Sequence, residues 1–270
     1  MISVARKPFI PIPPPAPIPQ GEDLSASTLL QLWREGEIDL ICIMGPTASG
    51  KTRYAVEMAR QLAALGAPAE ILSGDSRQVF RGMDIGTGKD MKEYGEIPCH
   101  LVDIVPAGAR YDICLYQRDF SAAYEDCMKR GVIPILCGGS GLYIEAVTRP
   151  EYDLEDNREL NLVLPRKTFF IAIRVDREVR RARIEARLKE RFEEGMLMEV
   201  KGLLEAGIPA ERLIKYGLEY KYLTMYLTGQ MDLEQMYTYL KVAIWQFAKR
   251  QMTWLRGMER DGVKIHWVRL

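Results

Sequence analysis

Gly45-Pro46-Thr47-Ala48-Ser49-Gly50-Lys51-Thr52 constrains this chain more than any other stretch. It fits G-x-x-x-x-G-K-[ST], directly after the apolar run Leu40–Met44 and directly before a helical pattern over residues 51–65. Such a loop turns successive backbone N–H groups toward one anion, and the following helix adds the partial positive charge of its N-terminus. Lys51 then neutralises phosphate oxygens, and the Thr52 hydroxyl is the candidate ligand for Mg²⁺. The expectation is a diphosphate-bearing ligand on residues 45–52.

Around this loop, short apolar runs alternate with helical periodicity. Residues 70–72, 101–105, 132–137 and 168–175 read as strands and 121–130 as helix, which predicts an α/β fold with a mainly parallel sheet covered on both faces. Residues 176–256 read as successive helices, with a last short strand over 263–268. The division expected is a proline-rich flexible tail over 1–38, a P-loop core over 39–175 and a helical lobe over 176–270 that completes the site. Within the tail, the run from Pro8 to Pro19 has few backbone donors and reads as polyproline-like or unstructured.

Composition narrows the function classes. The 270 residues carry 37 Lys+Arg against 37 Asp+Glu, so global charge gives no argument for a nucleic-acid partner. No run approaches the roughly 18 apolar residues of a membrane span, and the N-terminus lacks a secretory layout; a cytoplasmic protein, without a membrane partner, is expected. Five cysteines without a CxxC pair, and only two histidines, argue against a disulfide framework or a Cys/His metal site.

A phosphate loop binds phosphates without saying that a phosphoryl group moves. The apolar strand over 132–137 ends in Gly138-Gly139-Ser140-Gly141 with no carboxylate to complete a second metal ligand, which weakens the kinase or hydrolase reading. Asp75, after the strand over 70–72, should share the phosphate loop's crevice because neighbouring parallel strands end on one edge.

Together, Gly45–Thr52, the run from Gly74 to Lys89, His100-Leu101-Val102-Asp103 and Pro134 through Tyr143 resemble the tRNA dimethylallyltransferase family, which includes adenylate isopentenyltransferases. Arg183-Ile184-x-x-Arg187, Gly195, Glu199-Val200, Tyr226-Leu227-x-Gly229 and residues 248–256 resemble its later blocks, so the resemblance spans about residues 40–256. It implies transfer of a dimethylallyl group from its diphosphate to the exocyclic amine of adenine, most simply in tRNA beside the anticodon. Free AMP, ADP or ATP is the alternative acceptor, and a P-loop kinase or hydrolase the alternative class. That amine is a poor nucleophile, so a base must take its proton, and Asp75 is the candidate. Lys51 and Arg183 are the catalytic cations for the leaving diphosphate, with Gly45 to Thr52 and Ser140 binding the donor. Ser76, Arg77, Gln78, Lys249, Arg250 and Gln251 are the candidate acceptor contacts. A monomer is expected.

The sequence also departs from that family. Only about two dozen residues, 144–167, join Tyr143 to the next strand, where tRNA-modifying members carry a helical insertion that embraces the anticodon stem. Ile244-Trp245 replaces the usual Thr-Arg, Gly217-Leu218-Glu219-Tyr220 replaces Gly-Tyr-x-Glu, and Arg191 replaces a methionine. Between Arg174 and Arg191 lie eight Lys/Arg and four acids. They read either as a track for an RNA backbone or as a solvated helix face laced with i,i+4 pairs.

Overall fold

A computed structural model describes residues 24–149, 154, 157 and 159–270. In chain order the elements are α1 (Ala26–Arg34), β1 (Leu40–Met44), α2 (Lys51–Ala64), β2 (Ala69–Ser73), β3 (Phe80–Arg81), α3 (Met91–Tyr94), β4 (Cys99–His100) and β5 (Val105–Pro106). They continue as α4 (Ile113–Arg130), β6 (Ile133–Gly138), α5 (Gly141–Thr148), β7 (Thr168–Arg174), α6 (Arg177–Glu193), α7 (Met196–Glu205), α8 (Ala210–Lys215), α9 (Leu218–Leu227), α10 (Leu233–Arg260) and β8 (Ile265–Arg269).

Six strands form one parallel sheet in the order β4-β2-β6-β1-β7-β8, as the strand–helix alternation predicts. Strand side chains alternate between faces, and β1 shows the consequence: Ile41 and Ile43 pack with α1 and α2, while Leu40, Cys42 and Met44 pack with α4, α5 and the last turns of α10. Register then sets the site. Ile43 and Ser73 both pair with Cys137, so the loops after β1, β2 and β6 leave the sheet side by side.

A third cluster lies within the helical part, where Ile184, Leu188, Val200, Tyr220, Leu240 and Ile244 enclose Val79, Phe80 and Met83. The segment after Asp75 is therefore held in the core of the later helices. The boundary expected at 176 does not separate two cores: α10 contributes to two clusters, and β8 returns to pair with β7.

Two other expectations change. The proline run from Pro8 to Pro19 lies outside the described residues, but the tail expected to extend to residue 38 gives way to α1, whose Ala26, Leu29 and Leu30 are buried. Ser25 caps that helix by accepting the Thr28 amide. The strand expected over 101–105 does not form: β4 ends at His100 and β5 begins only at Val105, because Leu101 (φ 64°) and Asp103 (φ 56°) are left-handed and no strand runs through such residues. Among the described residues no helix is long and apolar enough to cross a membrane.

Candidate active site

The phosphate loop turns sharply before α2. Gly50 is the N-cap of that helix at φ 85°, a conformation glycine adopts without steric cost. Gln251 on α10, buried, holds the loop from outside: its Oε1 accepts the Thr47 amide at 2.8 Å and its Nε2 donates to the Gly139 carbonyl at 2.9 Å. The two loops after β1 and β6 are thus tied by one side-chain amide.

The Asp75 turn is fixed just as locally. Asp75 Oδ1 accepts the Arg77 amide at 2.9 Å, an Asx turn, and the Asp75 amide donates to Ser73 Oγ at 3.3 Å. Ser140, at the N-cap of α5, accepts the Ser76 amide at 3.0 Å. This approach needs glycine: a Cβ on Gly138 would lie 2.4 Å from the Gly74 carbonyl oxygen. Asp75 Oδ2 has no hydrogen-bond partner among the described residues, so one carboxylate oxygen remains available to a ligand.

These loops open into a cavity of about 790 Å³ lined by Thr47, Lys51, Thr52, Asp75, Ser76, Arg77, Gln78 and Ser140. Tyr111, Tyr143, Phe247 and Trp254 give it an apolar wall. A second cavity, about 710 Å³, lies along the outer side of the phosphate loop, lined by residues 48–54 and by Arg183 and Arg187. Lys51, Thr52 and Arg187 line both.

Burial pushes the Lys51 ammonium below its ordinary value; Cys137 and Asp75 oppose that and Arg187 adds to it. Arg191, four residues beyond Arg187, is drawn down to about 10 by burial and by the Arg187 charge. Its partner is Glu219 at 3.6 Å, whose carboxyl is pushed up by burial and restrained by Arg191. Two departures from the family pattern, Arg191 and Glu219, are therefore one ion pair in the cavity wall.

The sequence-derived site residues meet with differences. Arg183 reaches only the second cavity, and Arg187, the next member of the same helical row, takes the place between the two. Lys249 is exposed and lines neither. Arg250 and Gln251, both expected as acceptor contacts, line the larger cavity, and the Gln251 amide is also bonded to backbone. Gln78 is similarly occupied, accepting from Ser73 Oγ at 3.1 Å and donating to the Gly88 carbonyl at 3.4 Å. The spacing 183, 187, 191 was the signal for the missed arginines, since residues four apart share a helix face.

A metal would fit Thr52. Its hydroxyl is a hard oxygen at the start of α2 between the two cavities, and Mg²⁺ characteristically takes few protein ligands and completes its shell with phosphate oxygens and water. Elsewhere, Glu70, His100 and Cys127 bring their ligand atoms within 4.8 Å of one another. There the cation is already supplied: Arg130 donates two bonds to Glu70, at 2.6 and 2.7 Å, and His100 lies 2.7 Å from the same carboxylate. His100 thus has a structural partner, away from the cavity.

The sequence pattern of the IPP transferase family matches residues 78–161 and 149–258. A tRNA dimethylallyltransferase 2 of Porphyromonas gingivalis is 47% identical over 286 residues, covering 85% of this chain and 93% of that protein. Since 85% of 270 residues is about 230, about 55 of the 286 aligned positions face gaps in this chain. A tRNA dimethylallyltransferase 2 of Bacteroides fragilis is 42% identical over 289 residues, covering 86% of this chain and 93% of that protein. Among solved structures, the tRNA isopentenylpyrophosphate transferase of Bacillus halodurans superposes with a TM-score of 0.73 at 29% identity, covering 85% of this chain and 89% of the other. On fold, cavity and sequence together, the chain belongs to the IPP transferase family.

Proposed function

We propose that the chain transfers a dimethylallyl group from dimethylallyl diphosphate to the exocyclic amine of an adenosine in tRNA, beside the anticodon. The observation that carries this reading is the arrangement in one cavity of Asp75, with a free carboxylate oxygen, and Lys51, Thr52 and Arg187.

The donor's diphosphate lies on residues 45–52, where loop amides, Lys51 and the α2 N-terminus favour its charge. The adenine amine attacks the first carbon of the dimethylallyl group; a carbon–nitrogen bond forms as the carbon–oxygen bond to diphosphate breaks. Asp75 takes the proton the amine loses, and the electron pair of the broken bond leaves with diphosphate. Lys51 and Arg187 hold the charge gathering there, and loss of one such donor costs about 2.7–4 kcal/mol of barrier. Mg²⁺ held at Thr52, when bound, would neutralise part of the same charge. Ser76, Arg77 and Arg250 line the part of the cavity open to the acceptor. The chain is read as a monomer that acts in the cytoplasm, where its tRNA is.

Free adenine nucleotide is the second reading, favoured by the roughly 55 aligned positions that this chain lacks. Labelled dimethylallyl diphosphate with Mg²⁺, offered unmodified tRNA and AMP in parallel, separates them. Label in tRNA is expected, and label only on AMP overturns the tRNA reading.

A further inference from the structure

The first turns of α6 and the facing part of α10 gather cations away from the cavity. Arg177, Arg180 and Arg181 lie on α6 beside Lys241, Trp245 and Arg256 on α10. The Arg181 guanidinium stacks over the Trp245 ring at 4.8 Å, and the Lys241 ammonium approaches the same ring at 5.4 Å. Trp245 stands where the family usually has an arginine, so the positive charge reaches this place from the neighbouring helix instead.

What distinguishes the cluster is the lack of ion pairs. None of its five cations takes part in an ion pair among the described residues. Asp176, beside Arg177, is engaged by Arg269 at 2.5 Å. The i,i+4 pairing expected of a solvated helix face appears on α6 only between Lys189 and Glu193, two turns away. Arg180, half-buried, is pushed below its ordinary value by burial and then by Arg177, Arg181 and Arg256, with only Glu178 opposing. Two buried donors, Arg256 Nε and Trp245 Nε1, have no acceptor among the described residues. Like charges gathered in a half-buried seam with unmet donors are costly unless an anion joins them.

We propose that the α6–α10 seam of Arg177, Arg180, Arg181, Lys241 and Arg256 binds phosphates of the tRNA backbone. The inference rests on the tRNA reading above. Its chemistry is that of any phosphate, but guanidinium groups spread over two helices suit a succession of backbone phosphates better than one small anion.

The test compares the intact protein with Arg180→Gln/Arg181→Gln, and with Arg180→Lys/Arg181→Lys as a charge-conserving control, measuring tRNA affinity by fluorescence anisotropy from 50 to 200 mM salt. The Gln variant should lose about tenfold in affinity and show a salt slope shallower by about one to two. Its KM for dimethylallyl diphosphate should not change, and the Lys variant should keep most of the affinity. An unchanged affinity and slope in a folded Gln variant overturns the proposal. If the Gln variant loses competition by inorganic diphosphate but binds tRNA normally, the seam is a free-phosphate site and the RNA assignment is wrong. A wild-type protein without salt-dependent tRNA affinity would instead defeat the tRNA reading itself. Should the Gln variant not fold, Lys241→Gln, on the half-buried edge of the seam, gives the same readouts.

Discussion

Gln251 and Thr47 are 204 residues apart, yet the Gln251 side chain accepts the Thr47 amide at 2.8 Å and fixes the start of the phosphate loop. The same amide group donates to Gly139, so α10 ties the phosphate loop to the loop that positions Asp75.

Gln251→Leu should therefore leave the buried Gly139 carbonyl unpaired, at about 1–3 kcal/mol, and the half-buried Thr47 amide without its partner at a smaller cost. Urea denaturation should show the loss of stability, and the KM for dimethylallyl diphosphate should rise because the loop is no longer held. A KM and stability equal to wild type would remove Gln251 as the clamp.

The Arg191–Glu219 pair, 3.6 Å apart with both side chains largely buried, predicts a strong coupling. Removing either partner leaves a buried charge, and breaking such pairs costs about 3–5 kcal/mol. Arg191→Met and Glu219→Gln should each destabilise the protein, whereas the double variant should recover much of the loss. Additive single effects in the thermodynamic cycle would mean that the two do not act as a pair.

Acid stability should depend on Glu70. The Arg130 guanidinium, with His100 adding, holds its carboxyl down to about 2 from an ordinary 4.5. A folded-state value below the unfolded one means that this stabilisation is complete above pH 4.5 and is lost as pH falls from 4.5 toward 2. Melting temperatures between pH 7 and 2.5 should show Glu70→Gln less stable than wild type at neutral pH, with the gap narrowing through that window. A constant gap would assign the effect to packing.

Local features were legible from sequence and distant ones were not. The phosphate loop is eight consecutive residues whose conformation follows from their own glycines and the helix they begin, and Asp75 came within reach because adjacent parallel strands end together. Arg187 was recoverable from helical spacing. By contrast, Arg191 and Glu219 meet only through the packing of α6 and α9, so each read alone as a departure from a family pattern. Gln251 looked like an acceptor contact because nothing in its own segment reveals a partner near residue 47. The strand expected over 101–105 failed at Leu101, whose apolar character is satisfied in a left-handed turn as well as in a sheet. Likewise, α1 was read as tail because its three buried residues are few and follow a proline-rich run.

The most direct test of the account is single-turnover transfer of labelled dimethylallyl to tRNA by Asp75→Asn, with donor affinity measured on the same protein. Asparagine keeps the shape and the turn-forming oxygen but cannot take the proton. Donor binding should stay within about twofold of wild type while the transfer rate falls by about 10²–10⁴. Transfer at the wild-type rate would contradict Asp75 as the base.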